Sequence, residues 1–393
     1  MKPRVKIQSK KVTRKPEGEI PMLDLRAQFA AIGGEVRAAL DEVLASQQFV
    51  LGPQLSALEH ELAQYGGRKY GIGVASGTDA LILGLRACGV KPGDEVIVPA
   101  FTFIASAGAV SALGATSVFA DSDAETLNVD PASVASLLTE RTAAIVAVHL
   151  YGLPANLEAL GKIASRRGIP LIEDNAQALG SRYHGRPAGS FGTVSATSFY
   201  PSKNLGAYGD AGIILTDSKE IAAHLAILRN HGQTGTYVSS ESGWNSRLDE
   251  MQAAVLRVKL RYMDKWIARR RVLAARYDEG LAAVPGITPL SVPAGREHTY
   301  YLYTVRVADE GTRPGARRDG LRESLAKQGI GSGVYYPVPL HLQPVYACLD
   351  GKVGALPVAE QAAHEVLSLP IYPEMTLEQV DRVIYAVAET LRR

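Results

Sequence analysis

Two cysteines in 393 residues are too few for a disulfide framework, and no histidine–cysteine cluster has zinc-binding spacing. Net charge is nearly absent as well, at +2, but it is unevenly spread: residues 1–18 hold seven Lys/Arg against one Glu. Without that stretch the chain is acidic by about four charges, and it lacks the basic patches that nucleic-acid binding requires. The basic stretch reads as a solvated N-terminal arm. It has neither the apolar run of a secretory signal nor the Ser-rich amphipathic pattern of a transit peptide, so a cytoplasmic protein is expected. Charge is missing altogether from 96–120, long enough to cross a bilayer. That segment is rich in Ala, Gly, Ser and Thr and is interrupted by Pro99, so a buried strand followed by a packed helix is expected, and no membrane contact. Two nucleotide-binding signatures are also lacking: no G-x-G-x-x-G follows the first strand, and no G-x-x-x-x-G-K-[ST] loop exists. A Tyr-x-x-x-Lys dehydrogenase pair fails too, because Phe199 occupies the tyrosine's place and Tyr200 lies one residue too close to Lys203.

What is present is length and apolar content enough for two domains with a large core. Strands are expected at 71–75, 95–98, 116–120, 143–148, 169–173, 194–199 and 211–216, several of them apolar throughout, as in a sheet covered on both faces. Helix-period segments at 78–88, 102–113, 131–139 and 156–167 separate them. The fold class is therefore α/β, a mainly parallel seven-stranded sheet with helices on both faces. The connection between 194–199 and 211–216 is too short for a crossover helix, so one of these strands is expected to run antiparallel. A long amphipathic stretch at 246–283 follows, with Ser246 and Asp249 as its capping box. Strand 300–307, helix 315–328, strand 331–336 and helices 357–367 and 376–391 then make a smaller C-terminal α+β unit. The expected division is a basic arm at 1–19, a large domain at 20–265 and a small domain at 266–393.

Four features fall at carboxyl ends of the expected strands, where ligands bind in such sheets. Ser76-Gly77-Thr78 opens a helix and offers a phosphate cradle or a plain N-cap. Phe103, or alternatively Phe101, follows the second strand and can stack on a planar ring or pack in the core. Asp174, a carboxylate at an apolar strand's mouth, can hold a cationic ring nitrogen or cap the next segment. Lys203 is the only cation between Arg186 and Lys219. Partly desolvated, its amine is disposed to be free and to condense with a carbonyl. Together the four supply a partner each for the phosphate, ring face, pyridinium and aldehyde of pyridoxal 5'-phosphate.

The stretches SGTDAL, GDEVIVPAFTFIAS, VHLYG, EDNAQALGS, SFYPSKNLGAYGDAG, GWNSRLDEMQAA, YYPVPLHLQ and LSLPIYP resemble, in order, the motifs of the DegT/DnrJ/StrS nucleotide-sugar aminotransferases. The resemblance runs from about Ile20 to the C-terminus. It implies the aspartate-aminotransferase fold, pyridoxal phosphate as cofactor, and Lys203 and Asp174 as catalytic residues. Gly77, Thr78 and Ser198 would bind the phosphate, Phe103 would stack on the ring, and Gln177 would lie near the ring hydroxyl and the substrate. Asn245 would reach the phosphate of a neighbouring subunit, which implies a homodimer with shared sites. Tyr336 and His341 would approach the sugar. Asn175 departs from the family's usual small residue. The implied reaction moves an amino group from glutamate to a nucleotide-linked ketosugar. Gln177 favours amination at C3 of a dTDP-3-keto-6-deoxyhexose, with C4 amination or a non-catalytic, cofactor-binding regulator as alternatives. Relatives with histidine at the lysine position act as dehydratases, which Lys203 argues against.

Overall fold

The structure, a computed structural model, describes residues 18–308 and 313–392. The basic arm lies outside the described residues except for Gly18 and Glu19. Seven strands form the main sheet: β1 (Tyr70–Val74), β2 (Glu95–Pro99), β3 (Thr116–Ala120), β4 (Thr142–Val148), β5 (Leu171–Asp174), β6 (Val194–Ser198) and β7 (Gly212–Thr216). Their order across the sheet is β1-β7-β6-β5-β4-β2-β3. The pairs from β6 through β3 are parallel. Strand β7 runs antiparallel to both neighbours, β1 and β6, as the short connection requires. Strands β1, β2, β4, β5 and β6 consequently all end on one rim.

Apolar residues fill these strands because both faces are covered. Val96 and Val98 join one buried cluster with Leu81, Leu85, Val110 and Leu225. The intervening Ile97 joins another with Leu157, Leu160 and Ala164. The helices that carry these residues are α3 (Gly77–Ala87), α4 (Ala105–Ala112), α6 (Leu157–Arg167) and α7 (Lys219–Leu228), with the short α5 (Pro131–Ser136) between α4 and α6. The uncharged 96–120 segment is thus β2, α4 and β3. No helix among the described residues is long and apolar enough to cross a membrane. Two N-terminal helices that the sequence pattern does not reveal, α1 (Leu25–Ser46) and α2 (Pro53–Tyr65), pack on α8 (Glu250–Leu260).

Four expectations need correction. The 246–283 stretch is two helices, α8 and α9 (Met263–Leu281), because its halves serve different cores. Leu256 packs with Leu58 and Leu62, whereas Leu273 and Tyr277 pack with Val305 and Val383. Ser246 is not the cap; Asp249 accepts the Gln252 N–H at 2.8 Å, while Ser246 Oγ donates to Asp79 Oδ2 at 2.6 Å. The segment 331–336 is not a strand and makes only one bridge, Gly333 to Ser368. The strand that pairs with Tyr303–Val307 in its place is Val366–Leu369, because the expected helix 357–367, α11 (Pro357–Glu365), has already stopped at Glu365.

The second sheet is antiparallel: β8 (Ile287–Pro289), β9 (Tyr303–Val307) and β10 (Val366–Leu369). Helices α9, α10 (Ala316–Lys327) and α12 (Leu377–Leu391) cover it. Ile20 bridges to Ile330 and is buried in this second core, so the first described residues tie back to the C-terminal unit.

Candidate active site

A cavity of about 530 Å³ opens at the shared rim, within the usual size of a small-molecule site. Gly77, Thr78, Phe103, Asp174, Gln177, Ser198, Lys203 and Tyr336 all line it. These are eight of the ten residues named from the sequence, drawn together from separate rim segments.

The first wall is the amino end of α3. Ser76 caps the helix by accepting the Asp79 N–H at 3.1 Å, and the next amides face the cavity with the positive end of the helix dipole. Strand ends crowd here. A Cβ on Gly77 would stand 3.0 Å from Ser198 Cα and closer still to its Cβ, and a Cβ on Gly212 would stand 2.9 Å from the Gly77 nitrogen. Two glycines let β1, β6 and β7 converge until Thr78 and Ser198 face the same small volume. An anionic group of phosphate size fits this cradle.

Asp174 forms the floor. It is 5% exposed and accepts from Ser106 Oγ at 2.9 Å and from the Ala176 N–H at 3.2 Å. Burial raises its pKa, while the Ser106 and Ala176 bonds and the Lys203 charge pull the other way. A cationic ring nitrogen would complete this carboxylate. Beneath it, Glu173 is fully buried. It accepts the N–H groups of Gly189, Phe191 and Gly192 at 2.6–2.7 Å. His149 Nδ1 accepts the Ala155 N–H at 3.2 Å, so Nε2 carries the hydrogen and donates to Glu173 at 3.0 Å. Burial works against the Glu173 charge, but the His149 and backbone bonds outweigh it and its pKa is lowered. This anchors β5 and hence Asp174.

Lys203 lies in the loop between β6 and β7. Its N–H donates to Tyr200 O at 2.8 Å, and Phe199 N and Ala207 N close the loop on Ala211 O and Phe199 O. From α8, Lys259 Nζ reaches Gly206 O at 2.6 Å. The Lys203 amine sits 4.5 Å from the Tyr301 ring centroid and donates no hydrogen bond to any described residue. The amine is thus kept near Asp174 with the Tyr301 ring as its nearest described contact.

Gln177 Oε1 accepts the Tyr151 N–H at 2.7 Å, and its Nε2 donates to Tyr336 OH at 3.2 Å. Phe103 is exposed to the cavity with its centroid 6.1 Å from that of Tyr336. Phe101 is 1% exposed and packs in the core, which leaves Phe103 as the aromatic available to a planar ligand. Asn175 turns away, donating to Ala188 O at 3.3 Å.

Two named residues stand outside the cavity. His341 is buried on a short turn after Pro339, and its Nε2 lies 3.1 Å from Glu360 Oε1. It is therefore a brace of the 337–343 segment, not a cavity residue as expected. Asn245 is exposed, bridged to Asn230, and does not line its own chain's cavity. Sequence reasoning missed Ser106, Tyr301 and Tyr335. Ser106 closes the quoted GDEVIVPAFTFIAS stretch but nothing there marks it as a partner of Asp174, and Tyr301 lies in an alternating strand pattern with no local motif.

The model of the DegT/DnrJ/EryC1/StrS aminotransferase family matches residues 30–388. A "Pleiotropic regulatory protein" of Geobacillus stearothermophilus is 47% identical over 376 residues, covering 95% of this chain and 99% of the relative. The dTDP-3-amino-3,4,6-trideoxy-alpha-D-glucose transaminase of Streptomyces venezuelae is 47% identical over 375 residues, covering 95% and 97%. Among solved structures, the X-ray crystal structure of S. venezuelae DesV in complex with a ketimine intermediate matches with a TM-score of 0.91 at 46% identity, covering 95% of this chain and 99% of that one.

Proposed function

Because the chain belongs to the DegT/DnrJ/EryC1/StrS aminotransferase family, we propose that it binds pyridoxal 5'-phosphate and aminates C3 of a nucleotide-linked keto-deoxysugar, with glutamate as donor. The observation that carries this reading is one cavity holding Lys203, Asp174 and the amino end of α3 together. The transaminase relative, by its name, makes a 3-amino sugar, which supports C3 over C4.

The cofactor would supply an aldehyde for the amine and an electron-withdrawing ring. The protein's part is division of labour around it. The α3 amides, Gly77, Thr78 and Ser198 would hold the phosphate. Asp174 would keep the ring nitrogen protonated, since an isolated carboxylate so deeply buried favours a cationic partner. Phe103 would cover the ring face. Lys203 Nζ would hold the cofactor's aldehyde and, whenever a substrate amine holds the aldehyde in its place, would be the free amine positioned to carry a proton beside the ring. Tyr336, with Gln177 behind it, borders the sugar side. We take Asn245 to serve the phosphate of a second copy, which makes the enzyme a homodimer, and we take 20–265 and 266–393 as its two domains.

Incubation of the pyridoxal phosphate-loaded protein with glutamate and separate dTDP-3-keto and dTDP-4-keto sugars, followed by mass and NMR analysis, tests the reading. Amination of the 3-keto compound is expected. Turnover of the 4-keto compound alone would overturn C3. The regulatory name of one relative favours a second reading, a cofactor-binding regulator without catalysis. A visible chromophore that glutamate leaves unchanged would select it.

A further inference from the structure

We infer that Gln177 is a positioning residue that turns the Tyr336 hydroxyl hydrogen into the cavity, where it is donated to an oxygen of the bound ligand. The inference rests on the aminotransferase reading and deepens it. It follows from the direction of two hydrogen bonds. The Tyr151 N–H, 2.7 Å from Gln177, can only donate, so the amide atom facing it must be the oxygen. That fixes the other end as NH₂, which also only donates and stands 3.2 Å from the Tyr336 hydroxyl. Tyr336 is thereby made an acceptor toward Gln177, and its own hydrogen must point elsewhere. No other described residue takes it, and the hydroxyl's surroundings are the cavity that holds Asp174 and Lys203. Desolvation, with Tyr301 and Asp174 nearby, raises the phenol's pKa, so the hydrogen is present at working pH.

The backbone makes the arrangement deliberate. Tyr151 is a fully buried, bulky residue at φ 59°, a left-handed conformation that such residues avoid at a cost. It is what aims the N–H at Gln177. The Tyr151 hydroxyl in turn donates to the Tyr335 carbonyl, fixing the segment that carries Tyr336. Two ligand oxygens have the right chemistry: the cofactor's ring phenolate, and a hydroxyl or carbonyl of the sugar.

The test uses the pyridoxal phosphate-loaded protein and the variants Tyr336→Phe, Gln177→Met and the double variant. A methionine at 177 keeps the side chain's length without adding charge and gives Tyr336 no donor, so the hydroxyl hydrogen is no longer turned into the cavity. Two readouts are taken: the dissociation constant of dTDP-3-amino-3,4,6-trideoxyglucose by calorimetry, and the pH titration of the visible cofactor band. If the acceptor is on the sugar, both single variants weaken binding by about three- to tenfold and leave the titration unmoved. If it is the ring phenolate, both shift the titration in the same direction and leave binding unmoved. In either case the double variant is no worse than Tyr336→Phe alone. Unchanged readouts in Tyr336→Phe, or an added loss in the double variant, overturn the inference. Failure of glutamate to bleach the wild-type band would instead sink the aminotransferase reading, and both readouts here still report on the hydroxyl.

Discussion

Gly77 and Ser198 are in contact across the mouth of the sheet, with no room between them for a methyl group. The proposed phosphate cradle depends on Gly77 having no side chain. Gly77→Ala must push the start of α3 away from the end of β6, and the backbone there cannot yield as a flexible side chain would. Affinity for pyridoxal phosphate is expected to fall by about 10- to 100-fold, while the protein stays folded. Fluorescence titration of the cofactor, with thermal melting as the folding control, checks this.

Lys203→Ala removes the only lysine amine lining the cavity among the described residues. The loaded variant should lack the visible band of the lysine-bound cofactor, and borohydride should leave no pyridoxyl label on the peptide that contains position 203. Turnover is expected to drop by roughly a thousandfold or more, since both the covalent anchor and the proton carrier are lost. A label retained on another lysine would contradict the assignment.

Asp174 carries a pH signature with a definite sign. Burial raises its pKa in the cofactor-free protein. A carboxyl raised on folding costs nothing at low pH and destabilises progressively as pH climbs through its folded value. Cofactor-free Asp174→Asn should therefore melt above cofactor-free wild type at about pH 7.5, by roughly 2–4 °C per kcal/mol relieved. The gap should close below about pH 4. With pyridoxal phosphate bound the order should reverse, because wild type then has its cationic partner. Scanning calorimetry at both pH values, with and without cofactor, decides it.

Lys259 is 1% exposed, and burial pushes its ammonium down to about 8, with Glu374 opposing. A lysine lowered on folding is a burden below its folded pKa, and the burden lifts as pH rises from about 8 toward 10.5. In Lys259→Met, this rise of stability with pH should flatten in urea unfolding at pH 8 and pH 10. Turnover should fall by about tenfold, since the Gly206 carbonyl loses its donor and the Lys203 loop its brace.

If Asn245 serves the neighbouring subunit, two crippled variants should rescue each other. After subunit exchange between Lys203→Ala and Asn245→Ala proteins, half of the molecules are mixed dimers with one intact site each. About a quarter of wild-type activity should return. No recovery would place Asn245 outside the partner's site.

The seven-stranded sheet is legible in the sequence because a strand buried on both faces is apolar throughout, as Val96-Ile97-Val98 shows by feeding two clusters alternately. The direction of β7 follows from loop length alone. Lys203 and Asp174 are conspicuous as charges at the ends of such strands. What escapes is long-range pairing. Gln177 and Tyr336 meet across 159 positions, and nothing local announces it. Ser246 has the spacing of a cap but is claimed by Asp79. Tyr335 and Tyr336 alternate like strand residues, yet the prolines at 337 and 339 and the cavity draw them out of pairing.

The reversed strand β7 has one last effect. Had it run with its neighbours, a crossover would have carried the chain from the end of β6 to the opposite rim of the sheet, leaving Lys203 on a segment moored once. As built, the chain departs and returns at the same rim within thirteen residues, Phe199 to Ala211, and the amine hangs on a short closed leash. Its backbone is thereby tethered at both ends to the main sheet. On the proposed reading, preference among sugars can change in the tyrosine-bearing segment that faces it while the amine keeps its place.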